Sequence, residues 1–90
     1  MKKLYKFEWD YGRQGNIDGL FISEEQEVRS IVGKYIDFGE ALGKHSQVDG
    51  EIEEDDIIEI KVSQSVIDEL GCIFKDGNII GYNPLEYIEE

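Results

Sequence analysis

The densest polar chemistry in the chain lies in Phe38-Gly39-Glu40-Ala41-Leu42-Gly43-Lys44-His45-Ser46. Gly43 permits close approach of backbone amides, Lys44 supplies a point charge, and His45 and Ser46 add hydrogen-bond donors. Together they suit an anion. They do not make a nucleoside-triphosphate loop, which needs four residues between its glycines and Ser or Thr directly after the lysine. Here three residues separate Gly39 from Gly43, and His45 follows Lys44. A hairpin corner whose Ser and His satisfy backbone groups accounts for the same composition. Glu40 shares its alternation face with Ile36, Phe38 and Leu42, so it either approaches the core, with Lys44 or Arg13 as partner, or is turned outward by a bulge at Gly39.

Catalytic constellations are not apparent. His45 and Ser46 are adjacent, and neighbouring side chains on a strand point to opposite faces, so they do not form a nucleophile–base pair. A single histidine offers no second imidazole for a metal site, and Asp49-Gly50-Glu51-Ile52-Glu53 lacks the order of a calcium-binding loop. Cys72, the one cysteine, stands in an apolar stretch and reads as an inert core thiol that excludes an internal disulfide. The chain is read as a non-enzyme with no cofactor and no metal.

Charge supplies the second functional signal. Nine basic against 21 acidic residues give a formal charge of −12, which disfavours direct contact with nucleic acid or an anionic membrane. Residues 1–50 carry a net −2 and residues 51–90 a net −10. The run Glu53-Glu54-Asp55-Asp56 is a solvated turn or, alternatively, part of a surface that imitates a phosphate backbone and occupies a basic site on a host protein. High negative charge also serves solubility without any partner.

The elements that must position these residues follow from periodicity. Tyr5, Phe7, Trp9 and Tyr11 alternate with polar residues and predict a half-buried strand; Ile17 to Ile22 returns after a glycine-containing loop as its hairpin partner. The aromatic face could also stack on bases, but core packing is the better use of such large side chains in a small chain. Ser23 and Gln26 have capping-box spacing before the Val28, Ile31, Val32 stripe, and Gly33 stops that helix. Tyr35–Leu42 reads as a third strand. Val48, Gly50 and Ile52 begin a fourth that continues past the acidic turn to Val62. Val66, Ile67 and Leu70 predict a second helix ending at Gly71, and residues 72–80 a hairpin around Asp76-Gly77. Asn83-Pro84 starts a short terminal helix. The expected fold is a single α+β domain over residues 1–90, with a mainly antiparallel sheet built of hairpins, two helices and a short C-terminal helix. No apolar run approaches membrane-spanning length, and the expected location is the cytoplasm.

The segment from Tyr35 to Gly50, with its core FGE-x-LGKHS-x-V-x-G, resembles one found in small acidic accessory proteins of bacteriophages and prophages, as does the ending from Gly81 to Ile88. The resemblance covers about a quarter of the chain and carries no residue roles. It implies a non-structural protein acting in the cytoplasm of an infected bacterium, with anti-defence activity as one expectation. Two functions are therefore expected. One is binding of a small anionic ligand, such as a nucleotide-derived one, through Arg13, Glu40, Gly43, Lys44, His45 and Ser46, with oligomerisation deepening the pocket. The other is inhibition of a host nucleic-acid-binding or defence protein through Glu53, Glu54, Asp55 and Asp56.

Overall fold

The computed structural model describes residues 2–10, 15–40 and 47–88. Nine-residue strands β1 (Lys2–Asp10) and β2 (Asn16–Glu24) pair antiparallel along their whole length, from Lys2 opposite Glu24 to Asp10 opposite Asn16. Helix α1 (Glu25–Ile31) follows, then β3 (Tyr35–Gly39), β4 (Val48–Glu51), an acidic 3-10 turn (Glu54–Asp56), β5 (Ile57–Ile60), α2 (Gln64–Ile73), β6 (Asn78–Gly81) and a 3-10 turn (Pro84–Glu86). The sheets are antiparallel: four strands in the order β5-β1-β2-β6, and a separate pair β3-β4. This is a small α+β domain with extents of 41 × 23 × 21 Å. No helix among the described residues is long and apolar enough to cross a membrane.

The main core lies on one face of the large sheet. Tyr5, Phe7 and Trp9 of β1 and Ile17 and Phe21 of β2 project from it onto Val28 and Ile31 of α1, Ile36 and Phe38 of β3, and Val48 of β4. Strand alternation therefore sends the aromatic face inward, where Phe38 is the hub: its ring lies 5.5 Å from Phe7, 5.5 Å from Trp9 and 4.8 Å from Tyr87. On the opposite face α2 covers only one end of the sheet, with Ile67 packed on Leu4 and Ile22. The layers are thus α2, the four-stranded sheet, and α1 with the small sheet.

Several local expectations need correction. Ser23 is a buried residue of β2, not a cap; Glu24 occupies the N-cap of α1 without a side-chain capping bond. A capping box does form, but at Glu53 and Asp56, where the Asp56 carboxylate accepts from the Glu53 amide at 2.8 Å. That turn breaks the expected long fourth strand: β4 stays with β3, while β5 crosses over to pair with β1. The helix expected to end at Gly71 runs through Cys72 to Ile73, so residues 72–74 are no strand, and β6 pairs with β2. Cys72 is accordingly exposed rather than in the core. The terminal helix is a single 3-10 turn, capped as expected by Asn83, whose side chain accepts from the Leu85 amide at 3.0 Å.

Candidate functional site

Of the residues expected to bind an anion, Arg13, Gly43, Lys44, His45 and Ser46 lie outside the described residues. Glu40 is described and exposed. Gly39 has φ +69° and the β3–β4 register shifts between Asp37 and Gly39, so a bulge turns Glu40 away from the face of Ile36 and Phe38. The base of the β3–β4 connection is tied by Asp37, whose carboxylate accepts from the Gly39 amide at 2.8 Å and from Gln47 Nε2 at 2.9 Å. The two oxygens of the one Asp37 carboxylate are thus both engaged, one within β3 and one with Gln47 before β4.

The acidic residues converge elsewhere. Strand β5 pairs with β1 only from Leu4 to Phe7, so the end of β1 lies alongside the acidic turn and β4 instead of a strand partner on that side. The result is a groove of about 310 Å³ lined by Glu8, Trp9, Asp10, Asp49, Gly50, Glu51, Glu53 and Asp56. Six carboxylates from three elements meet there, with no lysine or arginine among the described lining residues. Their geometry is set locally. Trp9 is anchored in the core, which sends Glu8 and Asp10 outward by alternation. Tyr35 donates its hydroxyl to Asp49 across the β3–β4 pair. The reciprocal bonds of Glu53 and Asp56 hold the turn. Of the four residues expected to contact a partner, Glu53 and Asp56 line this groove, Glu54 lines its neighbour, and Asp55 is exposed. Glu8 and Asp10 carry no motif, and Asp49 and Glu51 belong only to the segment that lacks the order of a calcium-binding loop; their place on the polar faces of two strands is legible in the sequence, but their meeting depends on the crossover of β5.

The neighbouring groove is larger, about 590 Å³, and electrostatically different. Tyr5, Val28, Val32 and Ile57 form its apolar lining, with Glu25, Arg29, Glu54 and Glu59 around them. Its charges are internally paired: Lys3 lies 3.4 Å from both Glu25 and Glu59, Arg29 2.7 Å from Glu25, and Lys61 3.3 Å from Glu59. Partial burial opposes the charge on Lys3, but the Glu25 and Glu59 carboxylates outweigh it and raise its pKa. Burial likewise opposes ionisation of Glu59, and Lys61 and Lys3 overcome it and lower its pKa. Burial raises the Tyr5 hydroxyl. These groups form a structural ladder along the sheet. Among the described residues, no group of three or more His, Cys, Asp or Glu is placed to hold a metal ion. Comparison with protein-family models, curated proteins and solved structures finds no match to the chain.

Proposed function

We propose that the protein is a non-catalytic binder that occupies a positively charged surface of another protein. The observation that carries this is the convergence of Glu8, Asp10, Asp49, Glu51, Glu53 and Asp56 on one groove. Carboxylates held on strands and on a capped turn present a fixed array of negative charge, which steers a basic partner and favours it over acidic ones. Glu54 and Asp55 extend the array at the turn itself. In the setting implied by the resemblance of residues 35–50, the partner is a host protein that handles nucleic acid, and binding keeps its basic site from its own ligand.

The test is capture from bacterial lysate on the immobilised full chain, with the bound proteins identified by mass spectrometry and eluted with rising salt. Basic nucleic-acid-binding proteins are expected, released by salt, and lost when Glu51→Gln, Glu53→Gln, Glu54→Gln and Asp55→Asn are combined. Capture of the same proteins in the same amounts by that neutralised variant would overturn the proposal.

A further inference from the structure

The outer face of the four-stranded sheet is only half covered. Alternation places cross-strand rows on it, and the three central ones differ in cover. Ile60, Leu4 and Ile22 lie beneath α2. The next row runs across all four strands as Ile58, Lys6, Leu20 and Ile80, and the third carries Glu8 opposite Asp18. The middle row is open: Ile58 is 61% exposed and Ile80 69%. A shallow depression of about 360 Å³ sits on it, lined by Lys6, Asp18, Gly19, Leu20, Ile60 and Ile80.

Helix α2 lies over the neighbouring row, with Ile67 packed on Leu4 and Ile22. The chain leaves the β5 edge after Ile60, runs through α2, and four residues past its end meets β2, where the Gly77 carbonyl accepts from the Ile22 amide at 2.7 Å. The helix therefore crosses the strands. One flank, with Gln64, Asp68 and Cys72, faces the groove at Lys2 and Gly77. The other flank carries Val66 and Ile73, one heptad apart on the same stripe, and these are 38% and 70% exposed. By helical geometry that flank looks toward the open row.

We infer that this face is the seat of a helix from the partner protein, apolar on one side and basic along one flank, lying beside α2. Spacing supports it. Rows two residues apart along a strand are separated by about 7 Å, and packed helices by about 8–10 Å. A helix beside α2 thus sits between the apolar row and the row of Glu8 and Asp18. One side of it meets Val66, Ile73, Leu20, Ile58 and Ile80, with Lys6 between Ile58 and Leu20, and its outer flank meets the Glu8 and Asp18 carboxylates. Crossing four strands, about 14 Å, takes about ten helical residues. Charge complementarity selects the occupant. A second copy would bring an α2 bearing Asp68 and Glu69 against Glu8 and Asp18, which repels. Glu8 also lines the acidic groove, so the inference rests on the proposed function for the basic character of the flank.

The test uses three synthetic 14-residue peptides and the full chain. One has leucines at every third or fourth position and lysines along one flank; in the second, glutamates replace the lysines; the third is a permutation of the first without helical period. The lysine peptide is expected to bind, shifting the amide NMR signals of Leu20, Ile58, Val66, Ile73 and Ile80, with the permuted peptide at least tenfold weaker. Ile58→Gln with Ile80→Gln, at exposed positions that the fold tolerates, should weaken binding at least tenfold with unchanged circular dichroism. Equal binding of the permuted peptide, or indifference to the isoleucine replacements, overturns the inference. So does a wild-type dimer in sedimentation that those replacements dissociate. Equal binding of the glutamate peptide overturns the basic flank and counts against the proposed function as well. Failure of all three peptides, with salt-sensitive lysate capture through Glu51–Asp55 intact, sinks the helix seat alone.

Discussion

At Gly19 a single missing methyl decides how two strands approach. A Cβ built there would lie 1.8 Å from the Tyr82 carbonyl oxygen, and the Tyr82 amide donates to Asp18 at 2.9 Å, so the chain after β6 is laid directly over β2. Gly19→Ala should cost about 3 kcal/mol, the upper range for overpacking, measured by urea unfolding; an unchanged midpoint would refute the close approach. Tyr5 makes a second prediction. Burial raises its pKa, so the folded state keeps the proton that the unfolded chain gives up. The stability this supplies is complete below the unfolded value of about 10 and is lost as pH rises through the folded value. Tyr5→Phe, which keeps the ring stacked on Phe21, should flatten the fall in Tm above that pH. Lys3, raised by Glu25 and Glu59, contributes a loss in the same alkaline direction, whereas Glu59, lowered by its lysine neighbours, contributes stability lost on acidification below the ordinary carboxylate range.

Among the elements, α2 is the one whose extent departs most from what its glycine suggests. Gly71 lies inside it, and a Cβ there meets nothing within 4 Å. Gly71→Ala should therefore stabilise the protein by up to about 1 kcal/mol through helix propensity, read as a rise in the urea midpoint. A loss of stability would mean that the helix ends where glycine first suggested. The helix buries only Ile67 fully, and its Val66 and Ile73 flank is exposed. The acidic turn is the other decisive element. Its capping box redirects the chain from the small sheet to the edge of the large one, and that redirection creates the groove beside Trp9.

Taken whole, the molecule carries −12 on one small domain. Self-repulsion of this size opposes the compact state and is screened by salt. The Tm should rise as sodium chloride is raised from about 10 mM to about 300 mM, across which the Debye length falls from about 30 Å to well under 10 Å. Glu8→Gln combined with Glu51→Gln should raise the Tm at low salt and converge with the wild type at high salt. An equal gain at both salts would mean that local packing, not repulsion, is what changed. The same repulsion disfavours assembly of identical copies through the outer sheet face.

Composition and periodicity alone determined the α+β class, the β1–β2 hairpin, the inward aromatic face of Tyr5, Phe7 and Trp9, and the cap at Asn83, because each depends on neighbours within a few residues. They also located the negative charge in the second half of the chain. Which strand pairs with which was decided only in three dimensions. The period of two in Val48–Ile52 and Ile57–Ile60 looks the same whether the strand is one or two, and only the Glu53–Asp56 turn, closed by long-range pairing of Ile57 with Phe7, separates them. Likewise Gly71 is a stop in isolation, yet the Phe74 amide bonds back to Leu70 at 2.8 Å because Ile67 and Leu70 are held on the sheet. The groove of six carboxylates and the open apolar row are properties of faces. They arise from residues distant in sequence, whose meeting is set by pairing energies that no local window contains.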